Sequence, residues 1–146
     1  MKLFTIVFLC ILLSVLPVGC ATSSRQPSMK AARISPQHLE PGDTAIITVD
    51  VSDRFDIVKR VEGVVKEDRT ITFRLRDDGV TPDKRAGDDT WTTQVDVPFN
   101  APPGGFEFEV IAYNADGEVI VVHDEFGEAA PLSVSFELVI EYPEQE

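Results

Sequence analysis

The sequence predicts an all-β chain, an antiparallel sandwich of about seven or eight short strands that follows a cleaved export signal. Three observations predict it. Apolar residues alternate with polar ones over most of residues 44–141, the period of a strand with one buried and one wet face. Turn-forming clusters fall between the alternating runs, at Pro41-Gly42-Asp43, Asp78-Gly79, Pro102-Pro103-Gly104-Gly105 and Asp116-Gly117. No segment beyond residue 20 carries the 3.6-residue apolar stripe of an amphipathic helix.

The chain opens on Lys2 and an almost unbroken apolar run over residues 3–16. That run is short for a bilayer span and suits a signal-peptide core. It ends in Leu16-Pro17-Val18-Gly19-Cys20. This stretch resembles the lipobox of bacterial lipoproteins, with Gly19 and Cys20 matching and Pro17 standing where Leu, Val or Ile is usual. The resemblance implies cleavage before Cys20, acylation of its thiol and anchoring to a membrane by lipid. Ala21, rather than Asp, resembles the outer-membrane sorting pattern of Gram-negative hosts. The expected location is the cell envelope, facing away from the cytoplasm. Cys10 would leave with the signal, so a processed chain holds one cysteine and no internal disulfide.

Polar and small residues dominate 20–33, which reads as a lipidated tether before a domain over 34–142 and an acidic tail over 143–146. Within the domain, Ile47, Val49 and Val51 alternate with Thr48, Asp50 and Ser52. Residues 57–65 form a β-branched run, and Ile71, Phe73 and Leu75 alternate with Thr72, Arg74 and Arg76. Trp91, Thr93, Val95 and Val97 make the next inward series, followed by Phe106, Phe108, Val110 and Ala112. Asn114 to Gly117 predicts a hairpin turn from 106–113 into a strand over 118–123. The last run, 132–141, places Leu132, Val134, Phe136, Leu138 and Ile140 on one face, either as an edge strand or outside the basic fold.

Charge excludes some functions. The chain carries 25 acidic and 13 basic side chains, a net charge of −12. Nucleic acid requires a basic footprint, so it is not an expected partner. From residue 86 to the end there are fourteen acids and no Lys or Arg. An acidic surface keeps an exported protein soluble, or meets a cation or a basic partner.

Residues 77–91 are the most distinctive internal stretch, with Asp77, Asp78, Asp83, Asp88 and Asp89 between two well-patterned runs. Asp77, Asp78, Gly79, Asp83, Ala86, Gly87, Asp88 and Trp91 resemble a loop of immunoglobulin-like domains in secreted bacterial proteins, including modules attached to amylolytic enzymes, with Pro82 and Asp89 standing where that loop has glycines. The likeness covers roughly residues 34–122 and implies an immunoglobulin-like β-sandwich, a fold that serves many roles. The five aspartates have two readings. Clustered carboxylates on a loop suit Ca²⁺, which takes six to eight oxygens. Aspartate also caps turns by accepting backbone amides, and here the spacing is not that of an EF-hand.

Catalytic signals are absent from the sequence. No nucleophile motif, metalloprotease helix or phosphate-binding glycine loop occurs. His123 neighbours Asp124 and Glu125, but successive strand residues point to opposite faces. The expected function is therefore a non-catalytic interaction or assembly domain of the envelope, its partner an envelope protein, a polysaccharide or a second copy. The alternative is a carbohydrate-binding module, which would expose Trp91 or Tyr113 as a stacking platform.

Overall fold

The computed structural model describes residues 26–142. The signal sequence, Cys20 and the acidic tail lie outside the described residues. Among these residues there are eleven strands and no helix.

The first sheet is built around β4 (Thr44–Ser52), the run with the cleanest alternation. On one side it pairs antiparallel with β7 (Thr90–Asp96). On the other it pairs with β1 (Ser28–Met29) and then β2 (Arg33–Ser35). Residues 28–33 were expected to end a tether; they instead extend the sheet, because Met29 and Ile34 have apolar side chains to place against the core. Arg33 also grips the Asp50 carboxylate with two hydrogen bonds of 2.9 Å.

The second sheet runs β3 (His38–Leu39), β11 (Ser133–Ile140), β8 (Gly104–Tyr113), β5 (Arg60–Val65) and β6 (Thr72–Leu75). All its pairings are antiparallel except β3 with β11. The 132–141 run is thus an integral strand: β8 covers its whole length on one side, and β3 covers Val139 and Ile140 on the other. Its alternating face is what allows this, since Leu138 and Ile140 are buried in the common core.

The inner faces of both sheets share one apolar cluster. Ile47, Val49 and Val51 from the first sheet meet Val61, Leu75, Phe108, Val110 and Leu138 from the second. Phe108 stacks on Phe136 at 5.3 Å between centroids and tilts against Phe73 at 5.7 Å. Gly63, opposite Phe73 across the strand pair, leaves room for that ring; a Cβ there would lie 2.1 Å from it.

Three expectations are corrected. Ile71 is half exposed, at 52%, and precedes β6 rather than filling the core. Thr92, expected on the wet face, is buried where it bridges Arg76. The hairpin after β8 lasts for one bridge, Tyr113 to Val119. The chain then leaves the sheet, and β9 (Val121–His123) pairs with β10 (Ala129–Pro131) in a separate ribbon. The turn itself forms as expected, with Asn114 accepting the amides of Asp116 and Glu118.

Candidate functional site

Two features compete for functional attention, and both belong to the pair β6 and β7. These strands lie in different sheets and touch through one antiparallel bridge, in which Arg76 and Thr92 exchange backbone hydrogen bonds of 2.8 and 2.9 Å. On one side of the bridge lies the aspartate loop. On the other the strands diverge.

The loop gathers three of the five aspartates. Oxygens of Asp77, Asp83 and Asp88 lie within 4.8 Å of one another. Asp78 and Asp89 do not join them. Asp78 turns to the Val80 amide at 2.9 Å, and Asp89 occupies the left-handed region at φ 65° while its carbonyl accepts the Val51 amide. The convergent carboxylates are engaged by the backbone. Asp77 accepts the amides of Gly87, Asp88 and Asp89 at 2.7, 3.2 and 3.1 Å. Asp83 is buried and accepts Gly79 at 2.6 Å and Arg85 at 3.3 Å. The Gly79 amide holds the Asp83 carboxyl below the usual carboxylate range, outweighing the upward push of burial. Asp88 caps Thr90 at 3.1 Å. The three carboxylates carry six oxygens, and at least one oxygen of each already accepts a backbone amide. Their amide contacts fold a thirteen-residue connection (residues 77–89) around the three carboxylates.

The other side of the bridge holds an apolar cleft of about 470 Å³. Ile71 and Phe73 form one wall, Val95 and Val97 the other, and Phe106, Phe108, Leu138 and Ile140 the floor. Where β6 and β7 separate beyond the bridge, Ile71 is exposed and Phe73, Val95 and Phe106 are half-buried, while Val97, Phe108, Leu138 and Ile140 stay buried beneath them. Glu67, Asp68 and Asp96 stand at its rim with Thr72 and Asn100, and no Lys or Arg lines it. An apolar cavity of a few hundred Å³ with a few polar groups at its edge is the usual form of a binding site. No sequence motif marked it. The signal that was available is the position of Ile71, an apolar residue set just past the Asp68-Arg69-Thr70 turn.

The remaining candidates do not assemble. His123 exchanges hydrogen bonds with Gln26 through its backbone, and the Asp124 carboxylate caps Phe126 and Glu128. His38 pairs with Glu141 at 3.2 Å on the surface. The hydroxyls of Thr44, Thr70 and Ser133 donate to the carboxylates of Asp96, Asp68 and Glu109 at three separate places. Tyr113 is half-buried under the Arg60 guanidinium, 4.2 Å from the ring centre, so its face is covered. Trp91 is half-buried in a shallow polar depression with Arg74, Arg76, Asp77 and Asp78.

No protein-family model matches the chain, and no curated protein does. Among solved structures, it is similar to the endo-β-1,4-mannanase from Thermotoga petrophila, at 11% identity and a TM-score of 0.53. The match covers 85% of this chain and 22% of that one. The likeness is one of fold, and this chain spans about a fifth of the enzyme's length.

Proposed function

We propose that this chain is a lipid-anchored, non-catalytic interaction domain of the cell envelope, and that the cleft between β6 and β7 is its binding surface. The observation that carries the reading is where the cleft lies relative to the start of the domain. Ser28 pairs with Ser52 at one end of β4, whereas Val95 pairs with Ala45 at the other. Ser52 and Ala45 lie seven residues apart on β4, about 23 Å of strand. A domain tethered through acylated Cys20 would therefore hold the cleft away from the membrane, where a partner can reach it.

The sheet orders support an immunoglobulin-like sandwich. The run β11-β8-β5-β6 follows the G-F-C-C′ order of that fold, and β4 with β7 follows B-E. The first strand passes from one sheet to the other between β2 and β3, which supports the same assignment. Ala21 favours the outer membrane in a Gram-negative host.

Mass spectrometry of the membrane fraction should find acylated Cys20 as the first residue. Affinity capture of the lipidated protein from solubilised envelopes should recover a defined partner. A soluble, unlipidated mature form would remove the anchor from the reading. Turnover of a substrate by the purified protein would remove the non-catalytic assignment.

A carbohydrate-binding role is the second reading, favoured by the likeness to part of a mannanase and by Trp91 in its depression of about 290 Å³. Saturable binding of a purified glycan, lost in Trp91→Ala, would establish it.

A further inference from the structure

The cleft is bordered by unpaired strand edges, and this suggests what fills it. Gly42 donates to Val97, and the Val97 amide donates to Asp43, so the odd-numbered backbone groups of β7 face β4. The even-numbered groups face outward, as the Thr92 bridge to Arg76 shows. Beyond Thr92, the outward groups at Gln94 and Asp96 have no strand beside them among the described residues. An exposed edge of this kind is a template for another strand. Here it runs directly along an uncovered apolar cavity.

Resting on the interaction-domain reading above, we propose that the cleft receives an extended segment of a partner protein as an added strand on the β7 edge. Every second side chain of that segment enters the cavity between Ile71, Phe73, Val95 and Phe106. Chain geometry sets the length. The open stretch from Thr93 to Val97 accommodates about five residues, roughly 17 Å of strand. Charge sets the composition. Glu67, Asp68 and Asp96 at the rim, without a basic residue among the lining groups, favour Lys or Arg at the segment's outward positions. The recognition is strand addition, with backbone pairing giving affinity and alternate pockets giving specificity.

The test uses the full chain in phosphatidylcholine nanodiscs and the blocked heptapeptide Lys-Val-Lys-Val-Lys-Val-Lys. Titration followed by amide exchange should show binding with new protection at Gln94 and Asp96. A peptide with Ser for Val should fail to bind, and one with Glu for Lys should bind at least tenfold more weakly. Ile71→Asp is the decisive variant, because that side chain is half exposed and its replacement opens no buried cavity; an unchanged urea midpoint checks that the variant is folded. It adds negative charge, so binding driven by charge alone would strengthen, whereas strand insertion weakens at least tenfold. Protection that falls on the open part of the β11 edge, over residues 133–137, would overturn the proposal. So would unchanged affinity in Ile71→Asp. Envelope capture separates this from the broader reading. A partner retained equally by Ile71→Asp defeats strand addition and leaves the interaction role standing; no partner with either protein defeats the role itself.

Discussion

The aspartate loop and the apolar cleft sit on opposite sides of the same bridge between Arg76 and Thr92, and they solve opposite problems. At the loop, an irregular connection would leave many backbone amides unpaired, and Asp77, Asp83 and Asp88 take them up. Polar demand there is met within the chain. At the cleft, the divergence of β6 and β7 leaves apolar side chains and strand-edge groups without a cover. The conspicuous carboxylates thus engage the backbone of their own loop, while the apolar opening is lined by residues of ordinary core type.

The comparison breaks most readily at the cleft floor. Phe108 contacts Phe73 and Phe136 and is 9% exposed, so Phe108→Ala should cost about 3–5 kcal/mol in urea unfolding. At the wall, Ile71→Ser should change stability by no more than about 0.5 kcal/mol. Equal losses at the two sites would mean that the cleft is a packed interior.

On the loop side, Asp77 serves three amides and Asp78 one. Asp77→Ala should therefore destabilise by about 1–3 kcal/mol and Asp78→Ala by less than about 1 kcal/mol. A reversal of that order would remove the capping account.

Acid should act on the loop, on Asp50 of β4 and on the cleft rim, where the Thr70 hydroxyl holds the Asp68 carboxyl low. Asp83 is held below the usual carboxylate range chiefly by the Gly79 amide, and Asp50 chiefly by its hydrogen bond from Arg33. A carboxyl whose folded value is depressed adds stability above its unfolded value, and that stability fades as pH falls through the folded one. Stability should thus decline below about pH 4, and the decline should be shallower in Asp83→Asn. A slope unaffected by that substitution would place the acid sensitivity elsewhere.

The smallest expected effect is that of calcium. With the carboxylates occupied by amides, millimolar Ca²⁺ and a chelator should give the same melting temperature. A rise with Ca²⁺ would show that Asp77, Asp83 and Asp88 hold the ion as well as the turns.

Period two located most of the core in advance. Ile47, Val49, Val51, Leu75, Val97, Phe108, Val110 and Leu138 are buried as the alternation requires. Phe73, Trp91, Val95 and Phe136 pack against the cluster while only half-buried. For Phe73 and Val95 the reason is the cleft: alternation says which face of a strand is apolar, and not whether the opposite sheet covers it. The aspartates were legible as a group because side-chain type is local information. Which three converge was not, because it depends on the fold of the intervening turns. Thr92 departed from its pattern because it meets Arg76 across the two sheets, and Ile71 because it lies before β6, on the open side of the cleft.

The central claim is that the β7 edge stands open above an apolar cavity, and amide exchange in the free protein tests it most directly. Thr92, bonded to Arg76 at 2.8 Å, should exchange slowly, whereas Gln94 and Asp96 should exchange quickly. Slow exchange at all three positions would mean that the edge is already covered within the chain, and would contradict the account.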